Sequence, residues 1–179
     1  MNNDYELRGD ITAIFLNYKG QRYETLIDTA DLDQLLELPV SWHPWKNRRN
    51  GQLYAHGHFY KRAGRGHTPS LHRQLLNNPA RMFVDHINHD TLDNRRVNLR
   101  VVTNAQNLQN RKGVPSHNTS GYRGVSFEKE SGKFKAYIRI DNKLHNLGRY
   151  ESAEEAARVA FLARRERMPY CNEEVPCSK

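Results

Sequence analysis

Between positions 85 and 107 the chain sets an adjacent carboxylate and imidazole, Asp85-His86, ahead of two asparagines, Asn98 and Asn107. Hydrolysing a phosphodiester requires an activated water, stabilisation of the charge that develops at phosphorus, and help for the departing oxygen. A divalent ion can supply the last two. Asp and Asn are hard oxygen donors, which suits Mg²⁺ or Mn²⁺ better than zinc. An imidazole of near-neutral pKa can take the proton from water. Asp85, His86 and Asn107 therefore offer complementary chemistry. Asn and Asp are also common in turns, so Leu92-Asp93-Asn94-Arg95-Arg96 by itself reads as a loop. That bland reading leaves Asp85-His86 and Asn107 unexplained. Strand geometry adds a condition. Consecutive residues leave a regular strand on opposite faces, so Asp85 and His86 share one centre only if the strand ends or bends there.

Met82–Ile87 and Leu99–Val102 read as strands. Thr103 then caps a helix through about Lys112, with Gln106 completing a capping box. Upstream, Ile11–Tyr18 and Arg22–Ile27 flank a turn at Lys19-Gly20. Asp28-Thr29 caps a short helix carrying Leu32, Leu35, Leu36 and Leu38, which Pro39 ends. Residues 44–69 read as a loop or loose hairpin around Leu53–Tyr60, and Leu71–Leu76 as a short helix. Residues 112–121 have linker composition and are expected to be mobile. In Phe134–Ile140 apolar residues alternate with Lys135, Tyr137 and Arg139, the pattern of a half-buried strand with a basic, aromatic outer face. Tyr122–Phe127 and Lys143–Leu147 read as its neighbours. Ser152 starts a helix, with Glu155 in a capping box and Ala156, Ala160 and Ala163 on one face. The fold class is α+β. The expected division is an N-terminal β-rich scaffold and basic loop (1–69), a candidate nuclease module (70–112), a linker (113–121), a small sheet with one helix (122–168) and a tail (169–179).

Only 37% of the 179 residues are hydrophobic, which favours small modules over one large core. The net charge of +8 points to a polyanionic partner. It is unevenly placed: residues 1–43 hold three Lys/Arg and eight acids, whereas residues 44–82 hold eight Lys/Arg and no acid. Cys171 and Cys177 form no CxxC pair, so neither a zinc knuckle nor a disulfide framework is expected, and both read as free thiols in a reducing compartment. The longest early apolar run, Ile11–Leu16, is too short for a signal segment or membrane span. A soluble, cytoplasmic protein is the expectation.

The run Val84-Asp85-His86-Ile87-Asn88, followed by Asn98-Leu99-Arg100 and Asn107, resembles the HNH endonuclease motif of the phage and intron homing type. Asn98 and Asn107 follow His86 by 12 and 21 positions, which agrees with the family's spacing. The resemblance implies a ββα-metal (His-Me finger) module with one divalent ion. It makes Asp85 and Asn107 metal ligands, His86 the general base, and Asn98 the residue that orients the loop and the His86 ring. Asn stands at position 107 where other members carry His. His72, Arg73 and Arg100 are candidate phosphate contacts. His56, His58 and His89 rank below His86. Residues 120–168, with Ser120-Gly121-Tyr122-Arg123-Gly124-Val125 and Leu147-Gly148-Arg149-Tyr150, resemble an AP2-type DNA-binding domain, a three-stranded antiparallel sheet with one helix. In that family the sheet enters the major groove. This implies Arg123, Lys133, Lys135, Tyr137, Arg139 and Asn146 as DNA-binding residues, with Ser126 a weaker candidate.

The resulting expectation is a homing-type HNH endonuclease acting on double-stranded DNA. A non-catalytic DNA-binding regulator on a nuclease scaffold is the alternative, and an RNA-binding protein a weaker third. If the 44–82 segment and the basic strand touch phosphates, affinity for duplex DNA should fall steeply and linearly in a plot of log K against log salt. A flat salt response in a binding titration would remove that footprint.

Overall fold

Lys19 and Gly20 both take positive φ, 50° and 77°, as a two-residue type I′ turn requires. In the computed structural model they join β2 (Ile11–Tyr18) to β3 (Gln21–Asp28), and β1 (Tyr5–Arg8) pairs with the other edge of β2. Residues 1–48, 50–59, 69–111, 113–115 and 117–173 are described. Residues 60–68 of the expected basic loop, Lys112 and Cys177 lie outside them. The chain divides into two units, residues 1–103 and 104–179.

In the first unit β2 is buried along most of its length, with Ala13, Ile14 and Leu16 fully enclosed. Its core continues into a second antiparallel ribbon, β4 (Val40–Lys46) and β5 (Leu53–Phe59), through Val40, Trp42 and Ala55. Glycine at position 57 permits the close approach there: a Cβ would stand 2.7 Å from Val40 Cγ1 and 2.8 Å from Pro69 Cγ. A 3₁₀ turn at Thr29–Asp31 leads into α1 (Leu32–Leu36), and α2 (Leu71–Leu75) adds Leu71 and Leu75 to the core. Asp28 makes no side-chain cap. Its Oδ2 instead accepts the Arg96 backbone N–H at 2.6 Å. The hairpin of β6 (Phe83–His86) and β7 (Leu99–Val102) joins this core through Leu99, with Val84 and Leu92 packed against it. Scaffold and hairpin thus share one set of buried side chains.

In the second unit α3 (Asn104–Gln109) is followed by β8 (Val125–Glu128), β9 (Lys133–Ile140) and β10 (Lys143–Tyr150), an antiparallel sheet of order β10-β9-β8. The division at 103/104 places α3 in this unit, whereas the sequence reading puts it in the nuclease module. The helix stops at Gln109, short of the expected Lys112. Its exit is held by Arg123, whose guanidinium donates to the carbonyls of Gln109 at 3.1 Å and Arg111 at 2.9 Å. The expected tether is built into the sheet at its far end. Asn118 Nδ2 donates to the carbonyls of Tyr122 and Val125, at 2.9 and 3.1 Å. Ser120 Oγ also donates to Val125 O, at 2.9 Å.

The last helix, α4 (Ala153–Arg167), begins as its capping residues dictate, with Ser152 Oγ accepting the Glu155 N–H at 3.1 Å. Ala156, Ala157 and Ala160 pack on Val125 and Ala136, so small side chains let the helix lie close to the sheet. The segment after Pro169 is docked rather than loose. Asn172 N–H donates to Asn110 Oδ1 at 3.0 Å, and Glu173 accepts from both Arg123 and Arg164 at 2.6 Å. No helix among the described residues is long and apolar enough to cross a membrane.

Arg164 is only 4% exposed, so Glu173→Ala would leave a buried guanidinium without its carboxylate. The expected cost is about 3 kcal/mol, read as faster amide exchange across α4 and β9 with little change in β2 and β3. Unaltered protection in α4 would contradict the assignment.

Candidate active site

The ladder of β6 and β7 pairs Asp85 with Arg100 and His86 with Leu99. β6 ends at His86, and one further ladder bond follows it, the Ile87 N–H donating to Asn98 O at 2.9 Å. Asp85 and His86 are thus the last two residues of the strand, which ends where a shared centre requires it to end. Arg100 clasps Asp85 through Nη2 and Nε, at 2.7 and 2.9 Å from Oδ2. His86 is 5% exposed and enters a cluster of rings. The His72 and Tyr54 rings approach it edge-on, at 5.0 and 6.1 Å between centroids.

Burial pushes the His86 imidazole below its ordinary pKa, against smaller opposing effects from the Asn94 hydrogen bond and the carboxylates of Asp85, Asp90 and Asp93. The ring is therefore neutral near pH 7 and has a lone pair to accept a proton. His72 is pushed down to about 3, by burial first and then by His86, His56 and Arg73.

The loop between the strands holds its own shape through Asn98. Asn98 Oδ1 accepts the Asn88 N–H at 2.9 Å and its Nδ2 donates to Asp93 O at 2.7 Å. The residue bonded to the His86 ring is Asn94, whose Oδ1 lies 3.1 Å from Nε2. The expectation for Asn98 thus divides between two residues: Asn98 staples the loop and Asn94 holds the ring. Asn94 is 1% exposed. Its backbone N–H donates to Leu26 O at 2.7 Å, the Leu26 N–H donates to Leu92 O at 2.9 Å, and Asn94 Nδ2 donates to Thr25 Oγ1 at 2.7 Å. The loop is therefore docked on β3 of the N-terminal sheet. Sequence reasoning passed over Asn94 because one asparagine in a loop of Asn and Asp looks like another. Thr25, inside an ordinary strand, carries no local signal.

Two candidate phosphate contacts are committed to the fold. Arg73 donates to Met82 O at 2.9 Å and Pro79 O at 2.8 Å, and Arg100 pairs with Asp85. His72 is turned into the ring cluster. His56 stacks on Trp45 at 4.7 Å with Ser70 Oγ 3.4 Å from its Nε2, and the His89 carbonyl accepts from Gln52. Asn107 lies half-buried on α3, in the second unit. Among the described residues no three His, Cys, Asp or Glu side chains are grouped to hold a metal. A carboxylate and a side-chain amide are donor types that suit a hard ion keeping much of its water better than zinc.

In the second unit Lys133, Lys135, Tyr137 and Arg139 lie on the face of β9 opposite Ala136 and Ile138, which are buried toward α4. Lys133 pairs with Glu151 at 2.7 Å, and Arg139 donates to Asn142 O at 3.3 Å. A bulge between Asn146 and Gly148 shifts the β10 register and sets Arg149 opposite Lys135. Arg149, paired with Glu128, thus joins the basic face, a placement that strand alternation alone does not give. Exposed Asn146 accepts the Gly148 N–H at the bulge. Arg123 is not on this face. It precedes β8 and is held by Gln109 O, Arg111 O and Glu173.

Residues 77–109 match the family model described as HNH endonuclease. Over 88 residues the chain is 32% identical to Protein 3.8 of Escherichia phage T7, a match covering 49% of this chain and 71% of that protein. The chain carries an HNH endonuclease domain. It is also 32% identical over 84 residues to a protein of Acanthamoeba polyphaga mimivirus named uncharacterized HNH endonuclease L560, covering 47% of this chain and 42% of that one. No solved structure matches it. The matched HNH segment spans α2's C-terminal flank, the β6–β7 hairpin and α3, so Asp85, His86, Asn98 and Asn107 all lie within it.

His72 and His86 are held neutral in the folded protein, so the unfolded chain binds protons that the folded one excludes. Stability is complete above pH 6.5, the ordinary imidazole value, and falls as pH drops; for His72 the decline extends to about 3, at up to about 1.4 kcal/mol per pH unit, and His86 acts in the same direction. Thermal melts over this range should show the decline, and His72→Phe should flatten it. An unchanged slope in that variant would refute the assignment.

Proposed function

We propose that this HNH protein is a metal-dependent endonuclease that hydrolyses phosphodiester bonds of double-stranded DNA. The observation that carries the reading is a neutral, rigidly held imidazole, His86, on a hairpin within the matched HNH segment. His86 takes the proton from the attacking water. Asp85 and Asn107 are the residues that would hold a divalent ion, Mg²⁺ or Mn²⁺. Such an ion would supply charge stabilisation at the phosphate. Arg100 balances the Asp85 charge, and Asn98 keeps the intervening loop in one conformation.

The outer face of β8–β10 is the proposed docking surface for DNA, in the manner of an AP2-like sheet. Lys133 and Lys135 suit phosphates, while Arg139, Tyr137 and Asn146 are placed for base edges or stacking. Arg149 extends the basic strip, and Arg123 acts as a clamp within the fold. Viral relatives fit a homing-type nuclease working in the cytoplasm of an infected cell.

One observation favours the second reading, a DNA-binding regulator on a nuclease scaffold. Asp85 is already ion-paired with Arg100, at 2.7 Å. Nicking of supercoiled plasmid separates the two. Cleavage is expected with Mg²⁺, none with EDTA, and a loss of roughly 10²- to 10⁴-fold in His86→Ala. DNA binding without cleavage under every divalent ion tried would establish the regulator instead.

A further inference from the structure

We propose that Thr25, a residue of the N-terminal sheet outside the matched HNH segment, is a positioning residue that selects which nitrogen of His86 is the base. The inference rests on the nuclease reading above for its catalytic meaning. Its structural content stands apart from it.

The argument is a chain of forced hydrogen-bond directions. Leu92 O is a carbonyl and can only accept. The Thr25 hydroxyl, 2.7 Å from it, must therefore donate to it. A hydroxyl has one proton, so Thr25 Oγ1 can only accept from its second partner, the Asn94 side chain at 2.7 Å. The Asn94 atom facing Thr25 is thus the amide nitrogen. A second contact agrees, since the same nitrogen lies 3.4 Å from Leu92 O. Asn94 Oδ1 is then turned to His86 and accepts from Nε2 at 3.1 Å. In the neutral ring the proton is on Nε2, and Nδ1 bears the lone pair that takes a proton from water.

Burial makes the selection stringent. Thr25 is fully enclosed, Asn94 is 1% exposed and His86 is 5% exposed. Rotating the Asn94 amide would set its NH₂ against the His86 N–H and its oxygen against the Thr25 oxygen. Two buried groups would then lose their partners, a cost that solvent is not there to relieve. The ring cannot turn freely either, because Tyr54 and His72 pack against it. Asn94 touches the base; Thr25 acts only through Asn94.

The tautomer is read directly by two-dimensional ¹⁵N–¹H NMR of the His86 ring at alkaline pH, where the imidazole is neutral. Wild-type protein should show a protonated Nε2 and a bare Nδ1. Thr25→Val keeps the side-chain shape and removes the hydroxyl, and should give a mixture of tautomers. In plasmid cleavage it should lower kcat by about tenfold or more with little change in KM. Thr25→Ser should restore both tautomer and kcat, which a purely packing role for the lost methyl would not do. A protonated Nδ1 in the wild type overturns the proposal without any variant needing to fold. An unchanged tautomer in folded Thr25→Val also overturns it. If wild-type protein cleaves nothing, the nuclease reading fails while the spectrum still decides the role of Thr25.

Discussion

A polar ring placed in a protein interior must find hydrogen-bond partners or cost the fold several kcal/mol. His86 sits in that position, and much of the first unit answers to it. Its ring nitrogen requires an acceptor, which Asn94 supplies. Asn94, itself buried, requires acceptors for its amide protons, which Thr25 and Leu92 supply. Docking Asn94 requires the loop to lie along β3, where it exchanges backbone hydrogen bonds with Leu26. The loop then closes from the other side through Asn98, Asn88 and Asp93. The N-terminal sheet is thus part of the site's architecture, although none of its residues is in the HNH motif.

The second unit is governed by a similar demand made by charge. Arg164 lies between α4 and the sheet, beside a glycine whose positive φ and lack of Cβ leave room for it: a Cβ on Gly124 would stand 2.9 Å from the guanidinium. A buried cation needs a carboxylate and well-directed acceptors. Glu173 provides the first and Arg123 O the second, at 3.0 Å. The same carboxylate restrains Arg123, which in turn holds the exit of α3. One glutamate therefore ties the segment after Pro169 to α4 and to the start of β8.

Features set by neighbours in sequence were legible before the structure was known. The Lys19-Gly20 turn, strands β6, β7 and β9, and the Ser152 cap all follow from two-residue periodicity or local cap chemistry. The spacing of Asp85, His86, Asn98 and Asn107 was legible as a motif. What depends on distant partners was not. Pro44 and the flanking tryptophans hid β4, which exists because Val40 and Trp42 complete a core begun by β2. The directions of Asp85 and His86 depend on whether a strand bends, which composition does not encode. Arg123 is turned inward by Glu173, 50 residues later. Arg149 owes its facing to a bulge that shifts parity.

The bond between Asn94 and Thr25 joins positions 69 residues apart. Such a contact forms late in a folding chain, since the intervening segment must first be brought to order. During synthesis the β2–β3 hairpin leaves the ribosome well before the β6–β7 hairpin, and waits as a preformed surface. The His86 ring is therefore not held in its hydrogen-bonded place until the chain's own first strands have folded and captured the loop. The conformational maturity of the N-terminal sheet sets when the site comes into being.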